Sequence, residues 1–257
     1  MQALMRPGGA LHIRIDGPDG APALLMLNSL GTDLRLWDGL MPHLSGFRVI
    51  RYDKQGHGLS DLWDGSTIAA HAADAVAVIE AAGGPVTLVG CSIGGLIAQV
   101  VAAERPNLVR ALVLSNSAAK LGNADSWNQR IAAVQAGGTE AIADAVMERW
   151  FAAPFRASPQ LALWRNMLAR TGAPGYIAAC RALAASDQTG ATRALRLPTL
   201  VIAGSQDGAA PPDLVRATAD LIAGAEFHLI DGAGHLPCVE TPAAMAAILI
   251  PFLERHA

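Results

Sequence analysis

Charge is scarce in this chain. Of 257 residues only 16% are charged, and 19 basic against 22 acidic side chains leave a formal net charge of −3. The basic residues form no run or stripe, which argues against a nucleic-acid partner. Cysteine is scarcer still. Cys91, Cys180 and Cys238 are odd in number and far apart, so neither a disulfide framework nor a zinc site is expected. No uncharged apolar run approaches the roughly 20 residues that cross a bilayer. The opening Met1-Gln2-Ala3-Leu4 lacks the basic-then-apolar pattern of a secretory signal. These absences predict a cytoplasmic protein with no membrane partner and no metal.

What remains is dominated by Ala, Leu, Gly and Val, enough apolar surface for one large core. Short apolar runs at Leu24–Asn28, Val86–Gly90, Ala111–Ser115 and Leu200–Gly204 read as strands covered on both faces. Leu11–Ile15, Arg48–Asp53 and Glu226–Ile230 are further candidates. Helical patterns at Thr67–Ala82, Gly94–Glu104 and Pro212–Ala223 lie between strands. Such alternation predicts an α/β fold with a mostly parallel, doubly wound sheet. The rhythm breaks between Ala119 and Ala194, where several helices and three of the five tryptophans fall. We therefore expect residues 1–118 and 195–257 to form an α/β core, and 119–194 a helical cap inserted above it.

Gly90-Cys91-Ser92-Ile93-Gly94 follows an apolar strand and opens a helix, the setting in which G-x-S-x-G presents a nucleophile. Glycines there let strand and helix approach. The turn lifts the Ser92 hydroxyl to a helix N-terminus, where developing negative charge is favoured. A serine needs a base. His235, in the glycine-rich loop Asp231–Pro237 after the last strand, is the choice among seven histidines; His57, on a loop near the sheet's carboxyl edge, is the alternative. The acid should follow the preceding strand. Asp207 stands there and is favoured over Asp231, which is too near His235 in sequence for side-on support. The order Ser92, Asp207, His235 is the one used by the α/β-hydrolase fold, which is therefore the fold expected for the core at 1–118 and 195–257. Backbone N–H groups of Leu30 and Ile93 are the expected oxyanion donors.

The chain resembles the 3-oxoadipate enol-lactonases. The resemblance rests on Asn28-Ser29-Leu30-Gly31, Trp37, Arg51-Tyr52-Asp53, Gly56-His57-Gly58 and Gly232-Ala233-Gly234-His235 in the core. In the cap it rests on Arg149-Trp150-Phe151, Gly175-Tyr176 and Cys180-Arg181-Ala182. Many relatives carry His-Gly where Asn28-Ser29 stands. The resemblance implies a lactonase that opens 3-oxoadipate enol-lactone in the bacterial breakdown of protocatechuate and catechol, with no cofactor. It also implies a substrate bearing a free carboxylate, hence a cation in the pocket. Arg149 and Arg165 lie among apolar residues on their helices, where a charge must be paired or serve a ligand. Reaching solvent, or pairing with a structural carboxylate, is the alternative for each. Trp127 and Trp150 are candidate pocket walls. Other readings on the same fold are a general carboxylesterase, a carbon–carbon bond hydrolase, or a non-catalytic ligand-binding protein.

Overall fold

The computed structural model describes residues 2–257. Eight strands form one sheet in the order β1-β2-β4-β3-β5-β6-β7-β8. They are β1 (Gln2–Arg6), β2 (Gly9–Asp16), β3 (Ala23–Leu27), β4 (Arg48–Tyr52), β5 (Val86–Cys91), β6 (Val109–Ser115), β7 (Thr199–Gly204) and β8 (Glu226–Ile230). From β4 to β8 every pairing is parallel. β1 and β2 add an antiparallel edge. β1 is the strand that the sequence pattern does not reveal: it is short and mostly exposed, so it shows no apolar alternation. β5 and β7 are buried at every residue, as central parallel strands must be.

Helix α1 (Ile68–Ala81) starts at Thr67, whose hydroxyl accepts from the Ala70 amide at 3.0 Å, a side-chain cap. Helix α2 (Ile93–Glu104) is buried along nearly its whole length and packs on β3, β5 and β6. Between β6 and β7 the chain leaves the sheet for α3 (Ala124–Gly137), α4 (Ala143–Trp150), α5 (Ala153–Arg156), α6 (Leu161–Ala169), α7 (Ala173–Ala184) and α8 (Thr189–Ala194). The chain then forms α9 (Pro212–Ala219), α10 (Pro237–Glu240) and α11 (Pro242–His256). α9 stops short of the expected Ala223, because Leu221 and Ile222 turn back onto Thr218 and Ala219 in tighter three-residue bonds. The pattern reading did not name α11, which buries Met245, Leu249, Phe252 and Leu253 against β8.

β3 has β4 on one side and β5 on the other. The winding direction therefore reverses between β3 and β5, and the crevice beyond their carboxyl ends is where such sheets bind ligands. Asn28, the first residue past β3, fixes that crevice. It is buried, its amide donates to the Tyr52 carbonyl at 2.7 Å, and its carbonyl accepts from the Trp37 indole at 2.8 Å. Asp53, just past β4, accepts from His12 Nδ1 at 2.8 Å and from the amides of Leu34 and Leu59 at 2.7 and 2.9 Å. Arg51, fully buried, reaches Asp16 and Asp38, each at 2.6 Å. The Arg51-Tyr52-Asp53 motif thus ties loops to the sheet.

Asn28→Leu strands one donor and one acceptor in the interior. We expect it to lower unfolding free energy by about 2–4 kcal/mol, summing the usual penalty for two unsatisfied groups, as measured by urea unfolding.

Candidate active site

Ser92 sits where β5 becomes α2, with φ 55° and ψ −120°. A non-glycine residue in that region carries about 1–3 kcal/mol of strain. The surroundings hold it there. Its amide donates to the Ser115 carbonyl at 3.1 Å, and its own carbonyl accepts from Ser117 Oγ at 2.7 Å and from the Gly95 amide at 2.8 Å. The flanking glycines are a packing requirement. A Cβ at Gly90 would strike the Gly94 carbonyl, and one at Gly94 would strike the Leu27 carbonyl at the end of β3.

His235 lies beyond β8, and Asp207 beyond β7. Their loops touch because a Cβ at Gly204 would overlap the Ala233 and Gly234 carbonyls. His235 Nδ1 donates to Asp207 Oδ2 at 2.8 Å, with both side chains buried. The same oxygen accepts from Asn116 Nδ2 at 2.9 Å, while Oδ1 accepts from the Ala209 and Ala210 amides at 2.7 and 2.8 Å. Burial pushes the Asp207 carboxyl up, but the neighbouring His235 and these donors outweigh it and hold it below its ordinary value. The carboxylate therefore stays ionised and acceptor-only, which fixes the proton on Nδ1 of a neutral imidazole and leaves Nε2 free to accept. Asn116, at φ 50°, also donates to the Gly234 carbonyl at 3.1 Å, so one side chain aligns acid and base loops. Glu240 does related work from α10. It accepts from the Gly234 amide at 2.8 Å and the Ala152 amide at 2.9 Å. The His235 amide donates to the Trp150 carbonyl at 2.7 Å.

Ser92, His235 and Leu30 line one small cavity of about 110 Å³, roofed by Trp127, Arg149, Trp150 and Tyr176. Among the described residues, the Leu30 and Ile93 amides donate to no backbone acceptor, and both adjoin Ser92 or its cavity. The Ser92 hydroxyl makes no hydrogen bond to His235 within the described residues; in ligand-free sites such bonds are often long and tighten when substrate binds. A wider groove of about 1540 Å³, lined by Leu59, Leu62 and Leu163, contains none of the three residues Ser92, Asp207 and His235.

The structure corrects one candidate and adds others. Arg165 does not line the Ser92 cavity and pairs with Asp144 at 2.6 Å and Glu140 at 2.7 Å. Its charge is satisfied by surface carboxylates, the alternative its apolar flanks left open. Arg130 takes its place at the cavity. It stands one turn beyond Trp127 on α3, 5.5 Å from that ring's centroid, and donates to the Tyr176 hydroxyl at 3.4 Å. The three-residue spacing puts Trp127 and Arg130 on one helix face, the signal that would have revealed it. Arg149 donates from Nε to the Gly208 carbonyl at 3.1 Å. Burial, and then the charge of Arg130, push its guanidinium down from its usual value. Among the described residues neither arginine has a carboxylate partner. Asn116, just past the end of β6, is a further site residue that nothing in its own stretch of sequence marks. Of the rivals, Asp231 is exposed and accepts from Ser205 Oγ at 3.0 Å. His57 is buried away from the cavity, and burial and then Lys54 hold it neutral.

Among the described residues no cluster of three His, Cys, Asp or Glu side chains could hold a metal, and no helix is long and apolar enough to cross a membrane. A family model for the alpha/beta hydrolase fold matches residues 22–242. The chain is 34% identical to 3-oxoadipate enol-lactonase 1 of Acinetobacter baylyi, covering 97% of this chain and 95% of that protein. The crystal structure of the enol-lactonase from Burkholderia xenovorans superposes with a TM-score of 0.95 at 34% identity, covering 98% of this chain and 100% of that one. At 28% identity, a pimeloyl-[acyl-carrier protein] methyl ester esterase of Neisseria meningitidis covers 92% of this chain and 95% of its own length.

Because Arg165 is paired outside the cavity, Arg165→Gln should leave kcat/KM within about 2-fold of the parent, in the range of neutral surface changes. Steady-state assay on ester and lactone substrates checks this.

Proposed function

The chain belongs to the α/β-hydrolase fold family, and we propose that it is a serine-dependent lactonase that opens 3-oxoadipate enol-lactone to 3-oxoadipate. The observation that carries this reading is one cavity holding both halves of the chemistry. Ser92 and His235 lie on its floor, and Arg130 and Arg149, without carboxylate partners, lie in its wall. A small anionic lactone meets both needs. The cavity's size favours a compact molecule over the acyl chain on a carrier protein named for the Neisseria relative.

In the proposed reaction Ser92 Oγ attacks the lactone carbonyl as its proton passes to His235 Nε2. Asp207 holds the imidazole by Nδ1 and stabilises the imidazolium that forms. The carbonyl oxygen, now negative, turns toward the Leu30 and Ile93 amides, with the N-terminus of α2 behind Ile93 adding a favourable dipole. Collapse breaks the ring C–O bond. The departing enolate takes up at carbon the proton held on His235 Nε2 and becomes the ketone, leaving an acyl group on Ser92 and a neutral imidazole. Water, giving a proton to His235, attacks that ester; His235 returns the proton to Ser92 Oγ as the ester C–O bond breaks, and the released acid ionises to the second carboxylate. The free carboxylate of the substrate lies against Arg130 or Arg149 throughout, and Trp127 and Trp150 exclude solvent around the ring.

A general carboxylesterase or a carbon–carbon bond hydrolase would use the same floor without needing the two cations, which separates the readings. Arg130→Met and Arg149→Met together should lower kcat/KM for the enol-lactone by about 10- to 100-fold, the worth of one hydrogen bond to a charged group. Hydrolysis of neutral p-nitrophenyl acetate should stay within about 3-fold on the same scale. Equal loss on both substrates defeats the carboxylate assignment.

Ser92→Ala should lose about 10⁴- to 10⁶-fold in kcat with an unchanged circular dichroism spectrum. The parent should be labelled at Ser92 by a fluorophosphonate. Absence of labelling, together with full turnover by Ser92→Ala, would return the fold to a binding role.

A further inference from the structure

Lys54 is the most unusual charge in the molecule. It is 2% exposed, lies beyond β4 rather than in the Ser92 cavity, and has no part in the reaction as described. Its Nζ donates to the Ser29 carbonyl at 2.5 Å and to the Thr32 carbonyl at 3.4 Å. The Ser29 carbonyl also accepts from Thr32 Oγ1 at 3.0 Å. That carbonyl belongs to the peptide unit whose N–H is the Leu30 amide. No peptide in the described chain is cis, and in a trans peptide the N–H points opposite to the C=O. Two donors hold the carbonyl on the Lys54 side, so the Leu30 N–H is turned away from Lys54. Leu30 and Ser92 line the same cavity.

We propose that Lys54 is a positioning residue for the oxyanion site: its ammonium clamps the Ser29 carbonyl and, by polarising that peptide, aims and strengthens the Leu30 N–H donor. This rests on the serine-hydrolase reading above. A cation on the carbonyl oxygen draws electron density from the amide nitrogen and makes the N–H a better donor, the cooperative effect seen in hydrogen-bonded chains. The location suits that role. A lysine this buried is costly to desolvate, and the shorter of its two hydrogen bonds goes to the Ser29 carbonyl.

Charge on Lys54 is set by its neighbours from every side. Burial lowers its pKa to about 7, against the pull of Asp53 and Asp33. Cys91 is kept protonated by burial. His57 and His71 face Lys54 as neutral imidazoles, through burial and then through Lys54 itself. As pH rises through about 7 the ammonium is lost and the donor weakens. An alkaline limb of activity in that range is therefore the expected signature of Lys54.

Lys54→Met tests this. The expected result is a kcat reduced by about 10- to 100-fold, somewhat less than removal of an oxyanion donor, with KM within about 3-fold and the alkaline limb of kcat abolished. A folded variant with parental kcat and an unmoved alkaline limb overturns the proposal. A second measurement needs neither turnover nor that variant. In His235→Ala, the Leu30 amide ¹⁵N shift should titrate with a midpoint of about 7. A flat shift between about pH 5.5 and 9, the span in which a lysine so lowered changes charge, overturns it as well. Fluorophosphonate labelling of Ser92 distinguishes the two levels. If Ser92 labels while Lys54→Met is silent, only the Lys54 role fails; if Ser92 does not label, the serine-hydrolase reading fails with it.

Discussion

A serine held at φ 55° between β5 and α2 is the constraint on which the rest of the site depends. The conformation is unfavourable by about 1–3 kcal/mol for a residue with a Cβ, so it persists only where the surroundings leave no other. The clamp is built from three elements. β6 accepts the Ser92 amide through Ser115, and Ser117, just past that strand, donates to the Ser92 carbonyl. β3 presses its last carbonyl against Gly94. α2 is locked behind by a buried apolar surface on nearly every side. The same contacts place the end of β3 beside the nucleophile, and so bring the Leu30 loop within reach. On the proposed reading, an oxyanion site beside a neighbouring strand is thus a geometric consequence of the turn.

Polar groups in the floor follow one rule, that each buried charge is surrounded by donors or acceptors enough to keep it. Asp207 receives four hydrogen bonds on two oxygens. Glu240 receives two backbone amides, though burial still raises its carboxyl above the ordinary value. The difference is instructive. Asp207 is bonded directly to the His235 imidazole, whereas Glu240 is bonded only to backbone amides, feels Asp207 and His235 more weakly, and joins the His235 loop to the Ala152 segment after α4. One carboxylate is arranged to respond to charge, the other to hold two chain segments together.

The core was legible in the sequence because its signals are local and redundant. Apolar runs gave the parallel strands, and glycines beside Ser92 and His235 marked places where backbone meets backbone. The strand β1 was not legible, since an exposed edge strand needs no apolar pattern. α9 was overextended because its last expected turn tightens, which no composition signal marks. In the site, the acid and base could be placed from strand order, but Asn116 could not be distinguished from a residue merely ending β6, since its function lies in a contact with Asp207 91 residues away. Arg165 shows the limit most sharply. Its apolar flanks suggested a charge serving a ligand, yet Asp144 and Glu140 reach it from α4 and the turn before it. Long-range pairing decides the fate of an arginine, and that information is absent from its own helix.

This division explains why reaction type and substrate are read with such different ease. The floor must satisfy hard steric and electrostatic conditions that few residue types meet, so its residues are recognisable one by one. The wall has only to present a cation of suitable reach, and helices can deliver one from several positions: Arg149 from α4 or Arg130 from α3, where Trp127 and Tyr176 also border the space. Two unpaired guanidiniums facing one cavity repel, as the lowered guanidinium of Arg149 reflects after the larger effect of burial. That repulsion is relieved when an anion enters between them. A neutral ester offers no such relief, so on the proposed reading the wall would discriminate by its own unfavourable electrostatics in the free state as well as by attraction in the complex.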